Sequence, residues 1–272
     1  MQDLRIYVAI FDLKWRVWLR VLFSIKIRPR KPQQVCLLGA TGSGKTSCFL
    51  ALRNGKASAT VPSMVENRCE LSLLKLANSV GKEKKEAIIA AAYSRGVEAA
   101  AATAAAANAC ITRLAANDAL DASIFLVDTP GHPRLRPAAA AAAAESSILI
   151  FFVDAADKPS FKAAAELLFD LFCNPKIIEK KPSLLLVVNK TDKPEARGQQ
   201  AVIEDLEREI ERVRVCRQAS LDAEERENAL VGIEGHRFIL DDCPLPLCIC
   251  SAAVTIGDLS AIPYFIIRHT TT

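Results

Sequence analysis

Gly39-Ala40-Thr41-Gly42-Ser43-Gly44-Lys45-Thr46 stands directly after the apolar run Val35-Cys36-Leu37-Leu38 and before a helical stretch at 45–53. As strand, glycine turn and helix it satisfies GxxxxGK[ST], the pattern of a phosphate-binding loop. Glycine permits the turn that aims backbone N–H groups inward, and the positive end of the following helix reinforces them. The pattern makes Gly39, Thr41, Gly42, Ser43 and Gly44 the cradle, with Ser47 as a further nucleotide-binding candidate. Lys45 is assigned to the β- and γ-phosphates and the Thr46 hydroxyl to Mg²⁺. A glycine-rich turn without the Lys-Thr pair would read as a plain loop.

Beyond this loop the chain repeats one device. Short apolar runs at 35–38, 123–127, 148–153, 184–188 and 247–250 each end in a polar or glycine-rich turn, as parallel strands buried on both faces do. Helical stretches fall between them, clearest at 45–53, 161–173 and 201–215. The alternation predicts an α/β fold, a mostly parallel central sheet with helices on both faces and ligands beyond the carboxyl ends of the strands. Two alanine-rich segments, 87–109 and 138–144, interrupt the plan. Alanine favours helix but buries little, so both are expected to be surface helices or partly ordered insertions.

Three further motifs sit where this plan puts ligands. Asp128-Thr129-Pro130-Gly131 follows the strand at 123–127. Asp128 is placed to hold a metal through water, and the Gly131 N–H can approach a γ-phosphate unobstructed. Asn189-Lys190-Thr191-Asp192 matches the NKxD pattern of guanine readers. Asp192 can accept from guanine N1–H and the 2-amino group, which adenine does not present, so GTP is the expected nucleotide. Asn189 would brace the loop and the Lys190 stem would cover the base. Ser251-Ala252-Ala253 resembles the SAK loop, in which a backbone N–H meets guanine O6; Ala253 stands in place of the usual lysine. Four such elements in order define a P-loop small-GTPase fold with GTP and Mg²⁺ as ligands.

Composition narrows the classes. A 272-residue chain that is 51% hydrophobic and 24% charged can bury a full core. Nine cysteines without CxxC or zinc spacing read as reduced thiols facing the cytosol. A net charge of +4 with no basic and aromatic stripe argues against direct nucleic-acid binding. Residues 1–32 form a separate segment ahead of a GTPase domain at 33–272, which carries an insertion at about 78–120. Within 4–25, Arg5, Asp12, Lys14, Arg16 and Arg20 are too many charges for an ordinary membrane span. On a helical wheel most of them oppose Tyr7, Ile10, Phe11, Trp15, Trp18, Val21 and Leu22. With Lys26, Arg28, Arg30 and Lys31 following, the segment suits an interfacial helix on an anionic leaflet. A helix packed on protein is the alternative.

Gly131-His132-Pro133-Arg134-Leu135-Arg136 resembles the GHxxLR of the signal recognition particle receptor beta-subunit family, Arf-like GTPases of the endoplasmic reticulum. Leu206-Glu207-Arg208-Glu209-Ile210 through Val213-Arg214-Val215-Cys216-Arg217 is similar to its LEKEL...LRxxR helix. Phe238, Pro244 to Leu247, Cys250-Ser251-Ala252 and Gly257-Asp258-Leu259 are similar to its F...LPL...CSA...GD pattern. Thr60-Val61-Pro62-Ser63-Met64 resembles the Arf-type TxPT segment. That resemblance makes Ser63 a Mg²⁺ ligand; otherwise it is a loop serine. His132, where most small GTPases carry Gln, either orients the attacking water or contacts a partner.

The resemblance implies a GTP form that holds the N-terminal domain of the receptor alpha subunit at the endoplasmic reticulum membrane. The GTPase domain would face the cytosol, with the ribosome and signal recognition particle as indirect partners. Hydrolysis would be slow at most, since no arginine finger is identifiable. The family's hydrophobic N-terminal anchor is matched only by the charged stretch. An Arf- or Sar-like trafficking GTPase and a scaffold with a vestigial nucleotide site are the rival readings.

Overall fold

The computed structural model describes residues 33–79, 123–220, 231–232 and 235–271, all within the unit Pro32–Thr272. The N-terminal segment 1–32, the alanine-rich stretch 87–109 and nearly all of the expected insertion lie outside the described residues. Strands β1 (Gln33–Gly39), β2 (Asn67–Ser72), β3 (Ser123–Asp128), β4 (Ile148–Asp154), β5 (Ser183–Asn189) and β6 (Leu247–Ser251) form one sheet. Their order is β2-β3-β1-β4-β5-β6. Only β2 runs antiparallel; it pairs with β3, from Asn67 opposite Asp128 to Ser72 opposite Ser123. Helices α1 (Lys45–Asn54), α2 (Leu73–Ser79), α3 (Arg136–Glu145), α4 (Ser160–Phe172), α5 (Pro175–Lys180), α6 (Gln199–Ser220) and α7 (Ala261–Thr271) are the α-helices among the described residues.

The period of two along each strand divides the core. Cys36, Leu38, Leu149, Phe151, Val153, Leu184, Leu186 and Val188 point to the face covered by α3, α4 and α6. Val35, Leu37, Ile148, Ile150, Phe152, Leu185 and Val187 point to the face covered by α1, α2 and α7. Filling both faces requires unbroken apolar runs, which is why five strands were evident from sequence. The sixth, β2, is an edge strand with Leu71 alone fully buried, so its sequence carries no such run.

The alanine segment 138–144 is helical, as one of the two expectations had it, and forms the body of α3. Ala138 and Ala141 are exposed, but Ala139, Ala142 and Ala143 enter the core, more burial than an alanine face was expected to supply. Alanine suits a helix lying close on the sheet, where longer side chains would not fit. The carbonyls of its last turn are satisfied from outside. Gln34 Nε2 and Ser146 Oγ donate to Ala142 O at 3.1 and 2.8 Å, and Lys180 Nζ donates to Glu145 O at 2.5 Å. The eight described cysteines are free. Among the described residues no helix is long and apolar enough to cross a membrane.

Candidate nucleotide and metal site

The carboxyl ends of β1, β3, β5 and β6 bring the four motifs to one end of the sheet. Asn189 ties three of their loops together. Its Nδ2 donates to Ser43 O at 2.8 Å and its Oδ1 accepts from Val254 N at 3.3 Å. The approach is close enough that a Cβ on Gly44, itself at φ +98, would lie 2.2 Å from Asn189 Nδ2. Glycine is therefore required there both for backbone conformation and for space.

Lys45 lies at the centre of the cradle, 5% exposed. Its ammonium turns onto its own loop, donating to Gly39 O at 2.9 Å and Ala40 O at 2.8 Å. Burial lowers its pKa to about 8, with Asp128 pulling the other way. Ser43 is buried, Gly44 is half-buried, and Thr41 and Gly42 are exposed. Ser47 Oγ meets Thr60 Oγ1 at 3.1 Å, fastening the segment before Ser63 to α1.

The three expected metal ligands converge. Thr46 Oγ1 donates to Asp128 Oδ2 at 2.8 Å and lies 3.4 Å from Ser63 Oγ. Asp128 is fully buried and burial raises its pKa, against the lowering effect of bonds from Thr46 and Asn67. Its second oxygen, Oδ1, is buried with no hydrogen-bond partner among the described residues. An orphaned carboxylate oxygen beside two hydroxyls fits a hard divalent cation. One carboxylate and hydroxyls, without a larger ligand cluster among the described residues, is the donor set of Mg²⁺ sharing its shell with phosphates.

Asn67, at the head of β2, escaped the sequence reading. Its Nδ2 donates to Asp128 Oδ2 at 3.2 Å, and the only sequence signal would have been its spacing from Ser63. Thr129 was also passed over. Its N–H and hydroxyl both bond Leu37 O, at 3.3 and 2.7 Å, and fasten the Asp128 loop to β1.

The purine end differs in detail from expectation. Lys190, at φ +64, pairs with Asp154 Oδ2 at 2.5 Å. Asp192 is exposed and accepts from Thr255 Oγ1 at 3.2 Å. Ser251 bonds Gln199 Oε1 at 2.7 Å. The N–H groups of Ala252 and Ala253 donate to Val188 O and Asp258 O, at 2.8 and 2.9 Å. His132 accepts at Nδ1 from Arg134 N at 3.2 Å and so caps the 3₁₀ turn Pro133–Leu135. Behind Gly131 and His132, Leu38, Pro130, Ala139, Ala140, Phe151 and Leu167 line much of an apolar cavity of about 230 Å³.

The fold is that of the P-loop small GTPases. The signal recognition particle receptor beta subunit family matches residues 96–245, more than half of the chain, and the protein belongs to that family. The signal recognition particle receptor subunit beta of Mus musculus is 32% identical over 143 residues, which cover 50% of this chain and 53% of that one. The chain thus spans about half the length of the curated relatives it matches. A structure of the mammalian SRP receptor superposes with a TM-score of 0.63 at 21% identity, covering 87% of this chain and 100% of that one. The SRb-GTP/SRX complex from Chaetomium thermophilum gives 0.51 at 19% identity, covering 82% and 91%.

Proposed function

We propose that this family member binds GTP with Mg²⁺ and, in that form, holds the N-terminal domain of the receptor alpha subunit at the endoplasmic reticulum membrane. The observation that carries the nucleotide reading is the meeting of Thr46, Asp128 and Ser63 around an unpartnered carboxylate oxygen. Mg²⁺ would be held by Thr46 and Ser63, with Asp128 acting through water, and would supply charge neutralisation between the β- and γ-phosphates. Lys45 would exchange its loop carbonyls for phosphate oxygens, and Asp192 would read the guanine edge.

Partner binding has support in the segment that carries Ser63. Val61, Met64 and Val65 stand 82%, 63% and 74% exposed, an apolar cluster whose arrangement would follow the γ-phosphate and metal. A solved relative is described as an SRb-GTP/SRX complex. Membrane attachment through the Trp-bearing N-terminal segment rests on its sequence alone.

Hydrolysis is expected to be slow. With His132 Nδ1 accepting from Arg134 N, the neutral ring carries its proton on Nε2. It can donate to a water but not take a proton from one, so it orients rather than deprotonates. Titration of the purified chain with GTP, GDP and ATP tests the site. Guanine-selective, Mg²⁺-dependent binding is expected; equal or absent binding would favour a vestigial scaffold. Pull-down with the GTP-loaded chain tests the partner, with the alpha subunit expected in the bound fraction and absent with GDP.

A further inference from the structure

Ser251 is the residue of the β6 loop that sequence singles out, yet its hydroxyl turns away to Gln199. The side chain that reaches Asp192 is Thr255, whose Oγ1 donates to Oδ2 at 3.2 Å. Thr255 rides on the 3₁₀ turn Val254–Ile256, and that turn is fixed on both sides. Val254 N bonds Asn189 Oδ1 at 3.3 Å. The N–H groups of Ala253 and Asp258 each donate to the other's carbonyl, at 2.9 and 3.1 Å, and Ile256 N donates to Ala253 O at 3.1 Å. The hydroxyl is therefore delivered to Asp192 by a scaffold keyed to the same asparagine that holds the phosphate loop.

We propose that Thr255 is the positioning residue for base selection: its hydroxyl sets the plane of the Asp192 carboxylate so that both oxygens meet the N1–H and 2-amino donors of guanine. The inference rests on the guanine reading of Asp192 given above. A carboxylate offers about four acceptor positions, so one bond from Thr255 leaves enough for two from the base. Asp192 and Thr255 are exposed as the domain stands, where water competes for the bond. A purine over the loop excludes that water, and a carboxylate free to rotate would then present one good acceptor instead of two.

The test is equilibrium titration of the full chain with GDP, IDP and ADP in Mg²⁺, for wild type, Thr255→Val and Thr255→Ser. IDP lacks the 2-amino group and ADP lacks both donors. Thr255→Val is expected to weaken GDP by about five- to tenfold, the net effect of one ordinary hydrogen bond. IDP should weaken less and ADP by under about twofold, so the GDP to IDP ratio falls. Thr255→Ser, which keeps the hydroxyl, should restore the ratio. Equal weakening of all three nucleotides, or an unchanged ratio in Thr255→Val, overturns the positioning role while leaving guanine recognition intact. A wild-type chain that does not prefer GDP to ADP removes the guanine reading itself, and the role with it. Nucleotide-free melting temperatures of both variants separate misfolding from lost selectivity, and the serine variant carries the decision if valine does not fold.

Discussion

Asn67 Nδ2 donates to the same carboxylate oxygen of Asp128, at 3.2 Å, that accepts the Thr46 hydroxyl at 2.8 Å. Two donors on Oδ2 leave Oδ1 as the unpartnered atom. The antiparallel pairing of Asn67 with Asp128 makes this contact a property of the β2 register, so a strand at the edge of the sheet sets the orientation of a candidate metal residue. Removing the amide in Asn67→Ala is expected to lower apparent Mg²⁺ affinity by about tenfold, the common effect of losing a partner of a metal-associated carboxylate. Mg²⁺ titration monitored by nucleotide retention measures it. An unchanged Mg²⁺ midpoint would mean Asp128 is held by Thr46 alone.

Gly131 is packed so closely on the phosphate loop that a Cβ would lie 2.7 Å from Thr41 N, 2.8 Å from Ala40 C and 2.7 Å from Lys45 Nζ. The lysine tip can move, but the two backbone atoms cannot without opening the cradle. Gly131→Ala must therefore displace the Asp128 loop, which carries the N–H assigned to the γ-phosphate. GTP binding should fall by about tenfold or more, while GDP, which lacks that phosphate, should change by under about twofold. Parallel titrations with the two nucleotides check it, and equal losses would remove the γ-phosphate assignment.

The strand tips were legible because burial on both sheet faces demands apolar runs and because each motif begins where a run stops. Asn67 and Thr255 were not legible, since each acts through one hydrogen bond made by folding and neither residue type is unusual in a loop. The burial of the alanine helix was underestimated for a different reason. Counting apolar surface undervalues Ala139, Ala142 and Ala143, whose small size allows the close approach. The family pattern in α6 was recognised without its cause. Glu207 Oε1 accepts from Leu240 N at 3.0 Å, and Glu211 Oε2 accepts from Phe238 N at 3.0 Å. Arg214 Nη2 donates to Glu211 and to His236 O, at 2.9 and 2.6 Å. Together they hold the segment that leads into β6.

That network makes a stability prediction. Glu211→Ala would remove the acceptor of the Phe238 N–H and one acceptor of the buried Arg214 guanidinium, which keeps its bond to His236 O, at a cost of about 1–3 kcal/mol. Urea unfolding is the measurement. A loss below about 0.5 kcal/mol would show that water takes over both donors.

The cavity beside Gly131 offers a change of the opposite sign. Ala140 lines it from α3, and leucine retains good helix propensity. Ala140→Leu is expected to add about 1 kcal/mol by burying methylenes in space already open. The melting temperature should rise by about 2–4 °C for a domain of this size. A lower melting temperature would mean that the helix cannot accommodate the added volume.

Buried ionisable groups set the dependence of stability on pH. Burial pushes the thiols of Cys36 and Cys48 far up and that of Cys250 from 9.0 to about 12. A folded pKa above the unfolded one means that the folded chain keeps protons that the unfolded chain releases. Stability from each thiol is therefore complete below about pH 8, begins to fall as the unfolded thiol ionises around pH 9, and approaches a loss of about 1.4 kcal/mol per pH unit above it. Lys45 runs the other way, because its pKa falls from 10.5 to about 8 on folding. Between those values the unfolded chain holds the extra proton, and stability rises with pH by about the same amount per unit. From pH 8 to 9 the lysine contributes about 1 kcal/mol, which the thiols already ionising in the unfolded chain offset, so stability should stay nearly level. Between pH 9 and 10 these three thiols and that of Cys173, raised to about 11, outweigh the one amine, and the net loss should be about 3 kcal/mol. Lys45→Met should turn the level stretch into a fall of about 1 kcal/mol and steepen the loss above it. Urea unfolding in reducing buffer without nucleotide, from about pH 7 to 10, checks both limbs; a Lys45→Met profile parallel to wild type from pH 8 to 9 would show that the Lys45 ammonium is solvated before any nucleotide arrives.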